Sequence, residues 1–535
     1  MSLRNIKIPA FVTDVSLCLV SALLFALPWL GVTSLTLFLA FVPLLWLQRR
    51  HDGRRFWLLC TLAFVAFNLM TVTWIARSAL IGTVAAVIVY AVIFGTVAAI
   101  YNAVWKRALK PLAYTVLVCG WTAAERFYTH AEISFPWLNL GGGFAVDHFL
   151  VQWYEYTGTL GGTLWVLVAN LLVFEALVHW RESRSFSARR WMAPLLWVAV
   201  PAAGSLVMYG CYKEGDKKVT VTLMQPNVDS YKDKFGGQSQ RVQLDRMVGM
   251  INDAPADSRF IVGPETALND SYWIGSIEQS HMVDTIRRTL AGRPDAALIF
   301  GLTTFKGYPK MLYPVPPTTT CRTRPDRDYW WDAYNSAICI EGSAPLQLYH
   351  KSKLVIGVEL IPYHEYFSWF NKLSVDLGGV SGMLAVQDES SCFVTPAGSV
   401  GCAICYESVY GEYYASFVNR GAHLMFVITN DGWWGDTAGY RQHLRFSQLR
   451  AIETRRSVGR SANTGISALI NERGDITART PWGKECTLSG ELTENDRITL
   501  FVQYGDIAGR ASQGVFLLSL LYFVAYRRRK KDYLV

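Results

Sequence analysis

Charge is scarce in this chain. Only 17% of its 535 residues are Asp, Glu, Lys or Arg, whereas 51% fall in the AVILMFWYC set, a balance too apolar for a soluble globular enzyme of this length. An excess of cations is also missing where a nucleic-acid binder would carry it. Residues 212–507 hold 30 Lys+Arg against 33 Asp+Glu, so the overall charge of +9 comes from cations beside long apolar runs. That is how a membrane protein distributes charge, and nucleic acid is excluded as a partner. Low-complexity stretches are few and aromatics make up 13% of the chain, which excludes general disorder.

Clusters of metal-binding side chains are absent as well. The ten cysteines include one Cys-x-x-Cys, Cys402 to Cys405, with no second pair and no nearby Cys/His group, so neither zinc nor an iron–sulfur centre is expected, and no other cofactor. On a strand, positions three apart face opposite sides and cannot chelate together. Cys392 and Cys402 flank the turn at 396–398. They read either as a disulfide across a hairpin or as two free buried thiols. No small-residue cleavage site follows the first apolar run, which therefore reads as a signal anchor.

Eight apolar runs stand out, at 14–30, 32–48, 56–76, 79–105, 111–127, 158–180, 191–211 and 506–526. Each is long enough to span, since about 20 residues of helix cross the hydrocarbon. The first two are short and separated by Gly31, and a hairpin dipping into the bilayer is their alternative. Outside 212–507, cations divide 18 to 3 between alternate loops, with Arg49, Arg50, Arg54, Arg55 and Arg527–Arg529 on the rich side and Arg77, Arg126 and Arg510 on the poor one. The asymmetry predicts cytoplasmic termini and an exported segment between the last two spans. The expected organisation is a membrane domain of seven spans over 1–212, an exported domain over 213–506, and an eighth span with a basic tail over 507–535.

From Lys218 onward the pattern changes to short β-like runs, at 219–224, 260–262, 297–300, 337–340, 346–349, 401–404 and 424–429. Helical periodicity at 238–251, 276–291 and 441–456 alternates with them, with Phe446, Leu449 and Ile452 marking a buried stripe. The segment is expected to be an α/β domain whose sheets are covered by helices.

Three titratable residues each follow a β-like run, where α/β sheets gather reactive groups. They are Glu265 in Ile261-Val-Gly-Pro-Glu-Thr-Ala, Lys351 in Tyr349-His-Lys-Ser-Lys, and Cys405 in Gly401-Cys-Ala-Ile-Cys-Tyr-Glu. A thiol at a strand-to-helix turn is a nucleophile once deprotonated, a buried carboxyl can take its proton, and a fixed ammonium can hold an oxyanion. The backbone N–H of Tyr406 would share that last task. In this order and with these flanks, the three resemble the Glu-Lys-Cys triad of the nitrilase, or carbon–nitrogen hydrolase, superfamily. The resemblance extends to Asn430-Asp-Gly-Trp-Trp-Gly, Gln442-His, Arg450-Ala-Ile-Glu and Arg460-Ser-Ala-Asn-Thr-Gly. Joined to eight spans, it is similar to the superfamily's membrane-embedded branch, the apolipoprotein N-acyltransferases.

That resemblance implies an αββα sandwich in a multi-pass protein of the bacterial inner membrane, with its catalytic domain on the periplasmic side. It implies a monomer whose acyl donor is a membrane phospholipid and whose acceptor is a diacylglyceryl apolipoprotein, joined by a Cys405 thioester. The alternative is a membrane-tethered amidase using the same triad on small exported amides. Glu359 matches the family's second carboxylate, although Ile356-Gly-Val-Glu here replaces the usual Pro-Phe-Gly-Glu and moves the glycine by one position. Glu407 is expected to hold Lys351 by an ion pair, and Tyr406 to shape the acyl pocket. Trp433 and Trp434 read as a gate, an interfacial anchor or core packing. The stretch with Tyr366, Trp369 and Phe370 reads as a membrane-dipping arm or as buried packing. Of Tyr231 and Phe235, neither is assigned the family's aromatic position.

Overall fold

Alternation along the strands decides how residues 212–507 pack. In the computed structural model, which describes residues 10–229, 239–324, 326–363 and 383–532, the chain divides into two compact units. One holds residues up to Trp74, Ile81–Gly210 and Tyr504 onward; the other holds Ile75–Leu80 and Cys211–Gln503.

The second unit contains thirteen strands among the described residues: β1 Lys218–Gln225, β2 Phe260–Val262, β3 Leu268–Trp273, β4 Ala297–Pro309, β5 Tyr329–Ile340, β6 Gln347–His350, β7 Cys392–Thr395, β8 Gly398–Ile404, β9 Leu424–Thr429, β10 Val458–Ala462, β11 Ala468–Ile470, β12 Ile476–Arg479 and β13 Cys486–Thr493. They form a sheet ordered β13-β1-β2-β4-β5-β6, with β3 also paired to β4, and a sheet ordered β12-β11-β10-β9-β8-β7. Val219, Val221, Leu223, Phe260, Val262, Ala297 and Ile299 share one core with Val400, Cys402, Met425 and Ile428 of the other sheet. The intervening Ile261, Leu298 and Phe300 join a second core with the helices Gln240–Asp253 and His281–Leu290. A period of two thus puts one face of the first sheet against the second sheet and the other under helices. Helices Gly411–Asn419 and Ala438–Thr454 pack with the second sheet, and the result is an αββα sandwich.

The hairpin β7–β8 settles the cysteine question. Its register pairs Cys392 with Gly401, not Cys402. A one-residue offset sends the two side chains to opposite faces, and both thiols are free.

Among the described residues of the first unit, four helices are long and apolar enough to cross a membrane: Leu80–Trp105, Tyr154–Ser183, Ala188–Cys211 and Ile507–Arg529. Helices Ala10–Ala26, Gly53–Thr71 and Lys110–His130 accompany them. The run at 32–48 differs from the single span expected. It is broken into a 3₁₀ helix, Leu35–Leu39, and an α-helix, Val42–Arg50. Side chains take over the freed backbone groups: Asn170 accepts from the Phe41 N–H at 2.8 Å and donates to the Leu37 carbonyl at 2.7 Å. Asp147 accepts from the Ser34 N–H at 2.7 Å. Non-helical backbone in an apolar setting persists only where such partners exist. Glu125 does the same for a glycine-rich 3₁₀ segment, Leu140–Leu150, accepting from the Leu140 N–H at 2.8 Å, Thr163 Oγ1 at 2.6 Å and Trp121 Nε1 at 3.0 Å.

Candidate active site

Glu265, Lys351 and Cys405 each leave the end of a strand, after β2, β6 and β8 respectively, and all three are buried. Lys351 Nζ donates to Glu265 and to Glu359, at 3.0 Å each. Asn335, on β5, donates through Nδ2 to the same two carboxylates, at 2.8 Å to Glu265 and 2.9 Å to Glu359. One ammonium and one amide therefore hold two acids side by side. The remaining oxygen of Glu265 accepts from the Asn430 N–H at 3.1 Å, and that of Glu359 from the Val355 N–H at 2.8 Å. Burial alone would pull the Lys351 ammonium down, but Glu265 and Glu359 more than offset it and keep the amine charged. Among the described residues, two carboxylates take hydrogen bonds from this ammonium, which has three N–H groups to give.

The displaced glycine of Ile356-Gly-Val-Glu explains how Glu359 still arrives. Gly357 takes φ 83°, a left-handed turn that glycine enters without steric cost. The turn closes through Gly357 N–H to Leu360 O at 2.7 Å and Glu359 N–H to Val355 O at 2.9 Å.

Cys405 opens a 3₁₀ helix, Cys405–Val409, with φ 52°. A non-glycine residue there stores roughly 1–3 kcal/mol of strain and is found where the surroundings over-determine it. Its carbonyl accepts from Ser408 Oγ at 2.8 Å, and His443 Nε2 lies 3.1 Å from the same oxygen. Burial, then the charge of Glu265, push the thiol far up, opposed by Lys351 and by the Thr429 hydroxyl. The thiol is therefore protonated at rest, and a nucleophile arises only if a base removes the proton. Glu265 and Lys351 both act on the thiol's charge, so carboxylate, ammonium and thiol share one buried centre.

Glu407 departs from expectation. It makes no ion pair with Lys351, whose two salt bridges go to Glu265 and Glu359. Its oxygens instead accept from Tyr349 OH at 2.6 Å, the Ser352 N–H at 2.6 Å and the Ile404 N–H at 2.8 Å. It ties the backbone after Lys351 to the backbone before Cys405. Burial raises its carboxyl to about 7 against these donors. Tyr406 is buried with its ring 5.2 Å from that of Tyr410. Trp433 and Trp434 are half-buried in a short 3₁₀ helix, Asp431–Trp434, with the Trp434 ring 5.7 Å from His443. Tyr366, Trp369 and Phe370, with Tyr231 and Phe235, lie outside the described residues.

Sequence reasoning gave no role to Asn335, His443, Asp431 or Arg460. For Asn335 a signal exists: Asn335-Ser336 is a polar pair inside an otherwise apolar strand end, where an unpaired amide would be costly.

A family model for carbon–nitrogen hydrolases matches residues 241–498. A second, for the N-terminal domain of apolipoprotein N-acyltransferases, matches residues 21–172. The chain is 28% identical to an apolipoprotein N-acyltransferase of Chlorobaculum tepidum, over 89% of each chain. It is 25% identical to one of Geobacter metallireducens, over 99% of each. Among solved structures, a Saccharomyces cerevisiae member of branch 10 of the nitrilase superfamily matches with 16% identity and a TM-score of 0.36, over 53% of this chain and 92% of that one.

Proposed function

We propose, from its similarity to the apolipoprotein N-acyltransferases along most of its length, that the chain carries an acyl chain from a membrane phospholipid to the N-terminal amine of a diacylglyceryl-cysteine lipoprotein, through a thioester on Cys405. The observation that carries this reading is the buried meeting of Glu265, Lys351 and Cys405 in a chain with helices able to cross a membrane. Glu265 takes the thiol proton as sulfur attacks the ester carbonyl. Lys351, with the Tyr406 N–H, steadies the oxyanion. The tetrahedral intermediate collapses to a thioester, and the departing lysophospholipid oxygen takes the proton from Glu265. The lipoprotein amine then attacks the thioester, loses its proton to Glu265, and leaves as an amide while sulfur is reprotonated, a ping-pong cycle through one site.

Pulling acyl chains into water costs about 0.8 kcal/mol per exposed CH₂, which supports a site reached from the bilayer. The 18 to 3 cation asymmetry supports a multi-pass inner-membrane protein with residues 213–506 on the periplasmic side. A reporter fused after Gly215 should be active only in the exported compartment. The decisive test is mass spectrometry of the full-length protein after incubation with phospholipid. A single acyl adduct on Cys405, discharged by a lipopeptide amine and absent from Cys405→Ala, is expected. Turnover of a soluble amide in detergent without phospholipid, with no adduct from lipid, would sink the reading in favour of an amidase.

A further inference from the structure

A buried network behind the nucleophile has no part in the chemistry described so far. His443, on the helix Ala438–Thr454, sits between the Cys405 elbow and an ion pair. Its Nε2 lies 3.1 Å from the Cys405 carbonyl oxygen and 3.0 Å from Ser408 Oγ. Its Nδ1 lies 3.0 Å from Asp431 Oδ1 and 3.2 Å from Arg460 Nη2. Arg460 Nη2 also donates to Asp431 Oδ2 at 2.5 Å, and Thr429 Oγ1 to Asp431 Oδ1 at 2.9 Å. Ser408, His443, Asp431, Arg460 and Thr429 are all fully buried.

Energetics argue against a purely structural purpose. Burying a guanidinium and a carboxylate costs several kcal/mol per ion, offset only by good geometry and full hydrogen bonding. Arg460 Nε and Nη1 have no hydrogen-bond partner among the described residues, so this pair falls short of that condition. An apolar core of similar volume would be at least as stable. What the pair does accomplish is to fix one imidazole ring, whose far nitrogen meets the carbonyl of Cys405, a left-handed, non-glycine residue.

We infer that His443 is a positioning residue for the nucleophile: with Nδ1 accepting from Arg460, which Asp431 holds, its Nε2–H donates to the Cys405 carbonyl and so keeps the elbow in the conformation that presents the thiol to Glu265 and Lys351. The inference rests on the reading of Cys405 as nucleophile. His443 touches no reacting atom and acts through the backbone of Cys405. Released, the elbow relaxes toward ordinary φ, the sulfur shifts, and the attack geometry is lost, while lipid binding is untouched.

The test uses the full-length protein in detergent with phospholipid mixed micelles. Misplacement of a reacting atom by about 1 Å costs roughly 10²-fold in rate, so His443→Ala should slow single-turnover thioester formation on that scale, with the KM for phospholipid unchanged. His443→Gln, whose amide N–H can reach the same carbonyl, should restore most of the rate. Asp431→Asn, which leaves the ring but loosens its anchor, should fall between them and decides the matter if His443→Ala fails to fold. Wild-type acylation in a folded His443→Ala, or in a folded Asp431→Asn, overturns the inference. So does a loss in His443→Ala that His443→Gln does not recover, since shape alone would then explain it. If the wild-type protein forms no adduct on Cys405, the proposed function fails instead; if it does and the His443 variants match it, only this inference fails.

Discussion

The two sheets of the sandwich supply the same centre with different things. The first contributes formal charge: Glu265 after β2 and Lys351 after β6, joined by Glu359 and tied by Asn335 on β5. The second contributes a bent backbone, the Cys405 elbow after β8, backed by Asp431 after β9 and Arg460 on β10. Charges in a dry interior are strong but penalised when unpaired. A strained turn is cheap to bury but must be held in place. The comparison teaches that faults in the first sheet's group should damage electrostatics and stability together, whereas removing the neutral His443 behind the second should damage geometry alone.

Lys351→Met is the most damaging way to test that difference. It removes the oxyanion's cation from both half-reactions, each of which passes through the same charged oxygen, and should cost about 10²–10³ in each. It also leaves the buried Glu265 beside the half-buried Glu359 without a counter-ion, a loss of roughly 3–5 kcal/mol when one partner of a buried pair is deleted. Single-turnover acylation and discharge, with thermal unfolding in the same detergent, read the two effects. A variant as stable as wild type would show that the first sheet's charges are solvated.

Glu265→Gln sharpens the contrast by moving two rates in opposite directions. The carboxylate of Glu265 raises the thiol pKa and the ammonium of Lys351 lowers it. Replacing Glu265 by the neutral amide therefore lowers the thiol pKa, and iodoacetamide should alkylate Cys405 faster at pH 8, by roughly tenfold in thiolate if the shift is of ordinary size for one nearby charge. Acylation should nonetheless be lost, because no base remains to take the proton in the reaction. Lys351→Met should slow alkylation instead. Alkylation slowed by Glu265→Gln would mean that its carboxylate does not face the sulfur.

The charged half of the centre was the legible half, and for a physical reason. Glu265, Lys351 and Cys405 each follow an apolar run, a weak signal taken singly, and their joint order, which resembles the Glu-Lys-Cys triad of carbon–nitrogen hydrolases, made them legible. Asp431, His443 and Arg460 act through hydrogen bonds between separate elements, and no local pattern encodes such a meeting; Asn335 differs only in that the polar pair it forms with Ser336 marks it within its strand. Glu407 lies beside Cys405 but bonds Tyr349, Ser352 and Ile404 where an ion pair with Lys351 was expected, because sequence adjacency says nothing about which donors in space it meets. The same limit governs the fold. Strands β2 and β9 were read with their bounds, being short, apolar and buried on both faces. β12, Ile-Thr-Ala-Arg with alternating exposure, and β13, largely half-exposed, carry too little apolar signal to stand out. The run at 32–48 looked like a span because nothing within it announces that Asn170 and Asp147 will cap its broken backbone.

Gly357→Ala is a gentler probe of the first group. A Cβ at this position would meet nothing within 4 Å, so any effect comes from φ 83°, which costs an L-residue roughly 1–2 kcal/mol. The turn should relax and withdraw Glu359 from Lys351. Acylation should fall by only a few-fold, because Glu265 and Asn335 still hold the lysine. A null result would separate Glu359 from the working centre.

Cys402→Ala should do least, and it tests the assignment of the nucleophile from its nearest competitor. Cys402 lies three residues before Cys405 on the same strand exit, buried in the core between the sheets, with burial holding its thiol well above the ordinary range. It has no left-handed turn, and its electrostatic neighbours are Glu407 and Cys339, both of which oppose ionisation; no cation is among them. Truncation removes one buried sulfur and leaves a small void, at a cost of about 1 kcal/mol, near the low end for large-to-small core changes. Transfer and the rate of thioester formation should be unchanged, and the adduct, now with one candidate thiol in its peptide, should remain. Loss of the adduct in Cys402→Ala, with Cys405 intact and the protein folded, would move the nucleophile three residues back, off the elbow. The second sheet would then be contributing a strand residue and not a strained turn.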